Sequence, residues 1–106
     1  MVNVVLLMNL LISEGVPEQD AHKLICIAKH ESNFNSKAIN DKLNRNKTID
    51  RGLFQVNSVH LTTCNVTAEQ LFDVRTNVSC AVKIYELQGL KAWATLKFCK
   101  GETYDI

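Results

Sequence analysis

The chain has 106 residues, 46% apolar and 22% charged, which allows one well-buried core, leaves no room for two, and excludes a disordered polymer. A net charge of +1 gives no basic footprint for nucleic acid. One Pro and four Gly leave no low-complexity stretch, repeat or linker.

Residues 1–12 open with an apolar run that has no Lys or Arg before it and no small-residue cleavage site after it. It is too short to span a bilayer. The spacing of Val4, Leu7, Met8 and Leu11 predicts a first core helix ended by Gly15, with Met1 an expression start. Pro17 suits the first turn of a second helix running to about Ser32, with Glu18 and Asp20 complementing its positive end. On that helix Glu31 falls on the stripe of Ala21, Leu24 and Ala28. A carboxyl at the end of a buried face loses water and its pKa rises, as a general acid near neutral pH requires.

Residues 35–47 are polar and predict a loop or the first half of a hairpin. The interleaved run Ile49-Asp50-Arg51-Gly52-Leu53-Phe54-Gln55-Val56-Asn57 predicts short strands. Asp50 stands there in polar surroundings that leave its carboxyl solvated. Two carboxyls in contrasting environments divide acid from nucleophile in glycoside hydrolysis. Taken singly, Glu31 is better explained by a helix-end bond to backbone amides or an Arg, and Asp50 is open to a reading as a turn former beside Gly52.

Thr67-Ala68-Glu69-Gln70 is a capping-box pattern, and Asp73 is placed to cap a further helix with Val74, Val78, Ala81 and Tyr85 on its buried stripe. Gly89 breaks the chain, and residues 90–98 predict a last short helix holding Trp93. The sum is an α+β domain, mostly helix with a small sheet. Cys26, Cys64, Cys80 and Cys99 suggest two disulfides in an oxidising compartment, with three connectivities open, and contain no zinc-type spacing. Asn46, Asn65 and Asn77 each begin a glycosylation sequon. His30-Glu31 starts like a zinc-peptidase helix motif, but Phe34 occupies the second ligand position.

Five segments, in order, resemble the c-type lysozyme and α-lactalbumin family. Ala28-Lys29-His30-Glu31-Ser32-Asn33-Phe34-Asn35 is similar to its A-K-x-E-S-x-[FY]-N segment, and Asp50-Arg51-Gly52-Leu53-Phe54-Gln55-Val56-Asn57-Ser58 to its D-Y-G-[IL]-[FL]-Q-I-N-S run. Cys80-Ala81-Val82-Lys83-Ile84, Ala92-Trp93-Ala94 and Cys99-Lys100-Gly101 resemble its central helix, its A-W-[VA] and its late cysteine.

The resemblance implies one lysozyme-like domain over residues 1–106, with an active-site cleft between helical and sheet parts. It implies that Glu31 is the general acid/base and Asp50 the nucleophile or charge stabiliser, roles for which this family is the type case, with carboxyls roughly 5–5.5 Å apart. Trp93 would supply an apolar wall beside Glu31. Gln55, Asn57, the Ala92 backbone and His60 would contact sugar. Cys26 would pair with Cys99 and Cys64 with Cys80. The implied reaction is retaining hydrolysis of β-1,4 bonds in peptidoglycan or chitooligosaccharide by a secreted protein, a monomer or one domain of a larger one. No cofactor, metal, nucleic acid or membrane is implied. A non-catalytic glycan- or protein-binding member and a lytic transglycosylase using Glu31 alone are the alternatives.

The chain departs from the family pattern in four places. The cysteines that join the family's chain ends are both absent, which removes a cross-link worth about 2–4 kcal/mol and predicts lower stability and a mobile C-terminus. Val59-His60-Leu61-Thr62-Thr63 replaces an aromatic sugar-stacking platform. Arg51 replaces a Tyr beside the aspartate, where it would either hold Asp50 ionised or tie it into an ion pair. The span from Cys64 to Cys80 is shortened and lacks two cysteines and a calcium-binding Asp cluster. The low net charge argues against long-range attraction to anionic cell walls and suits a digestive enzyme or one acting on soluble fragments.

Overall fold

The computed structural model describes residues 1–41, 46–101 and 103–104. Part of the polar loop expected over 35–47 lies outside the described residues, as do residues 105–106, on which the expected mobility of the C-terminus falls.

Helix α1, Val4–Ser13, starts where the Asn3 side chain accepts from the amides of Val5 and Leu6 at 2.7 and 3.3 Å. It buries Leu7, Met8 and Leu11. Helix α2, Glu18–Ser32, follows Pro17 and ends on Asn33 in the left-handed conformation (φ 53°). Its Leu24, Ile25, Cys26, Ile27 and Ala28 are all 0% exposed, so its middle is surrounded on every side. The short α3, Leu61–Cys64, leads to a 3-10 turn at Glu69–Phe72. The predicted capping box forms there: Gln70 N donates to Thr67 Oγ1 and Thr67 N to Gln70 Oε1, at 3.2 and 2.9 Å. Helix α4, Val74–Gln88, is capped by Asp73, whose carboxylate accepts from Thr76 N at 3.0 Å, and it stops at Gly89 (φ 78°).

The expected single helix over 90–98 is instead two 3-10 turns, Leu90–Ala92 and Ala94–Phe98, split at Trp93 in extended conformation. The reason lies far away in sequence. Trp93 Nε1 donates to Phe54 O at 3.0 Å, and the backbone turns out of the helix to bring the ring there.

Strands β1 (Ile39–Asn40), β2 (Asp50–Arg51) and β3 (Val56–Asn57) form an antiparallel sheet in that order, with Asn40 and Asn57 on either side of Asp50. The turn between β2 and β3 drives Leu53 and Phe54, both 0% exposed, into the helical core. Buried backbone groups in such a turn need partners, and side chains supply them. Phe54 N donates to Asn77 Oδ1 at 2.9 Å, and Trp93 takes Phe54 O. The Ser32 hydroxyl lies 2.7 Å from Leu53 O and 3.1 Å from Ala28 O and donates to the nearer. Asn77 Nδ2 also donates to Arg51 O and Leu71 O at 3.0 and 2.9 Å. Gly52 is required at the first turn position, because its φ is 79° and a Cβ would sit 2.4 Å from Asn77 Nδ2 and from Leu71 O.

Two cystines close the fold, Cys26–Cys99 across 73 residues and Cys64–Cys80 across 16. At the C-terminal end Tyr104 N donates to His22 Nδ1 at 2.9 Å and the two rings stack.

Candidate active site

Glu31 occupies the last turn of α2, and its neighbour Ser32 grips the β2–β3 turn. Asp50 opens β2, and the same turn follows it. One hydrogen-bonded plug therefore fixes the helix end that carries one carboxyl relative to the strand that carries the other. Both carboxyls line a cleft of about 180 Å³, together with Gln55, Asn57, His60, Ala92 and Trp93, and Val56, Ile84 and Ala94 complete the wall. Every catalytic or sugar-contact residue proposed from sequence is thus brought to one place. A larger cavity of about 340 Å³ lies between Glu14 and the α4 face bearing Arg75, Ser79 and Lys83; it contains none of those residues and no carboxyl pair.

The two carboxyls have different surroundings. Glu31 is half-buried, and its pKa is raised, first by burial and further by the charge of Asp50. The Thr95 hydroxyl, which donates to Glu31 Oε2 at 2.9 Å, and His30 pull it down. Asp50 Oδ1 accepts from Asn57 Nδ2 at 2.8 Å, and that same amide lies 2.8 Å from Thr48 Oγ1. Such an amide fixes the carboxylate's direction. Strand alternation sends the Arg51 side chain to the opposite face from Asp50, and Arg51 Nη1 is buried without a hydrogen-bond partner among the described residues.

Gln55 (φ 50°) lines the cleft while its amide nitrogen reaches Gly52 O and Ala38 O at 3.0 and 3.2 Å, so it also braces the turn. Trp93 is the aromatic ring in the cleft wall, 7% exposed and tilted against Phe54. In the segment that replaces the aromatic platform, His60 reaches the cleft and Val59 is 60% exposed.

Among the sequons, Asn46 and Asn65 are exposed. Asn77 is 0% exposed and both its amide hydrogens are engaged, so its side chain is sealed inside the folded chain. Sequence reasoning missed its bracing role, and it missed Ser32 and Thr95. Cys26, His30 and Cys99 have ligand-like proximity, but both sulfurs are in a cystine and offer no thiolate.

The C-type lysozyme/alpha-lactalbumin family model matches residues 7–106. Lysozyme P of Drosophila melanogaster is 34% identical over 104 residues, covering 87% of this chain and 73% of that protein. Lysozyme C of Equus asinus is 37% identical over 89 residues, 72% of this chain and 68% of that protein. Among solved structures, lysozyme from Equus asinus superposes with a TM-score of 0.78 at 28% identity, covering 96% of this chain and 91% of that one. Canine milk lysozyme gives 0.79 at 28% identity with the same coverage.

Proposed function

The chain belongs to the C-type lysozyme/alpha-lactalbumin family, and from that premise we propose that it is a secreted glycoside hydrolase cleaving β-1,4 bonds of peptidoglycan or related N-acetylglucosamine polymers with retention of configuration. The observation that carries this reading is the shared cleft: a half-buried Glu31 with a raised pKa facing an Asp50 oriented by Asn57.

In the proposed reaction Glu31 delivers its proton to the glycosidic oxygen as the bond to the anomeric carbon breaks. Asp50 meets the positive charge developing at that carbon from the other face, as a covalent partner or a close counter-charge. Once the leaving sugar departs, Glu31 is a carboxylate and takes a proton from the incoming water, which attacks the face the leaving group vacated. Attack on the vacated face gives retention, by two inversions where Asp50 bonds covalently. Gln55, Asn57, His60 and the Ala92 backbone are the proposed sugar contacts. The two cystines suit an oxidising, extracellular setting.

The test incubates the protein and Glu31→Gln with defined peptidoglycan and chitin oligomers and resolves the products. The expected result is reducing-end sugars of retained configuration, formed at least about 100-fold more slowly by the variant. Anhydro-sugar products would replace the hydrolase with a transglycosylase using Glu31 alone. Sugar-dependent change in Trp93 fluorescence without turnover would leave a binding protein.

A further inference from the structure

Thr95 stands 64 residues from Glu31 in sequence, yet its hydroxyl donates to Glu31 Oε2 at 2.9 Å. The contact is held from both ends of its segment. Two residues before it, Trp93 is anchored on Phe54 O. Four residues after it, Cys99 is joined to Cys26, on the same helix as Glu31 and five residues before it. The Thr95 carbonyl also lies 3.6 Å from Cys99 Sγ. The 3-10 turn Ala94–Phe98 is thereby fastened along α2.

We propose that Thr95 is a positioning residue for Glu31: by occupying Oε2 with its hydroxyl hydrogen, it leaves Oε1 as the oxygen that carries the transferable proton. The proposal rests on the hydrolase reading of this cleft for its meaning in catalysis, but the coupling itself is a property of the free protein. A hydroxyl can donate to a carboxylate and equally to the carbonyl oxygen of the neutral acid, so the bond persists through the proton transfer. It is stronger to the ionised form. Thr95 therefore opposes the upward push of burial, and it is the largest such opposing influence on Glu31. Among the described residues, the other titratable groups that face Glu31 are Asp50 from β2, which raises it, and His30 on its own helix, which lowers it, with His60 in the same cleft wall. Lys97, on the same turn as Thr95, lies over the Phe98 ring.

The experiment follows the Glu31 carboxyl carbon by NMR across pH in the full chain without substrate, for the wild type, Thr95→Val, Thr95→Ala and Thr95→Ser. Val keeps the shape and removes the donor; Ser keeps the donor and removes the methyl. Both Val and Ala are expected to raise the Glu31 midpoint by roughly half to one pH unit, and Ser to leave it within about 0.2 unit of wild type. With oligosaccharide substrate, the alkaline limb of kcat should move up by the same interval in Val and Ala, kcat should fall several-fold, and KM should hold. An unmoved midpoint in both folded donor-less variants overturns the proposal. So does a shift in Ser as large as in Val, which would mean packing alone. If the midpoints move as expected but the wild type hydrolyses nothing, the hydrolase reading fails and the Thr95–Glu31 coupling stands.

Discussion

On the helical side, α1, α2 and α4 bury Leu7, Leu11, Leu24, Ile25, Ile27 and Val78 at 0–1% exposure, and ordinary apolar burial holds that part together. The sheet side has strands of two residues each, too few ladder bonds to stand alone. It is held by side chains answering its backbone: Asn77, Ser32, Trp93 and Gln55 between them take up the polar groups of the β2–β3 turn. Water exclusion tolerates graded loss. A hydrogen-bonded plug does not, because each missing partner strands a buried group on the other side. The carboxyl pair spans these two regimes, one on each side.

The largest expected effect comes from Asn77→Ala. It leaves Phe54 N–H and the Leu71 and Arg51 carbonyls without their partner, and should cost about 4 kcal/mol in denaturant unfolding followed by Trp93 fluorescence. Hydrogen exchange should show the amides of residues 52–57 opening well before those of α2. Equal acceleration everywhere would merge the two regions into one cooperative unit and break the comparison. Leu24→Ala, which empties a fully buried position in α2, should cost about 3 kcal/mol and raise exchange across the whole molecule rather than in the sheet.

Glu31→Gln gives the smallest effect and the one with a pH signature. Burial raises the Glu31 pKa, so the native state holds its proton more tightly than the unfolded chain does. Stability is then fully present below the ordinary carboxylate range and declines as pH rises through the raised midpoint. The amide carries no charge, so the variant should unfold at slightly higher denaturant than wild type at pH 7, by less than about 1 kcal/mol after solvent screening, with the gain gone near pH 4. A variant less stable than wild type at pH 7 would contradict the burial penalty on Glu31.

The helices were legible because their cues are local. Asp73, Thr67 with Gln70, and Gly89 act within four residues of where they stand, and the 3.6-residue stripe of α4 includes the buried Val78 and Ala81. The cleft lining was legible through resemblance, since the run around Asp50 carried Gln55 and Asn57 with it and the Ala92-Trp93-Ala94 segment carried Trp93. Long-range partnerships were not. Nothing near Thr95 points to a carboxyl 64 residues away, and nothing near Trp93 reveals that Phe54 O will pull it out of a helix. The bracing role of Asn77 was missed for the same reason: its three-residue neighbourhood spells a sequon, while its surroundings in the fold are a sealed turn.

That turn has a consequence for how the chain is made. Oligosaccharyl transfer acts on an extended nascent chain, before Asn77 has met Phe54, Arg51 or Leu71. In a host that glycosylates, folding and sugar attachment compete for one amide nitrogen, and the winner is irreversible: a chain modified at Asn77 can no longer close the turn on which Asp50's strand depends. Material from such a host should separate into a native pool bare at Asn77 and a misfolded pool modified there, whereas replacing Ser79 with Ala removes the competition and leaves the Asn77 bracing in place.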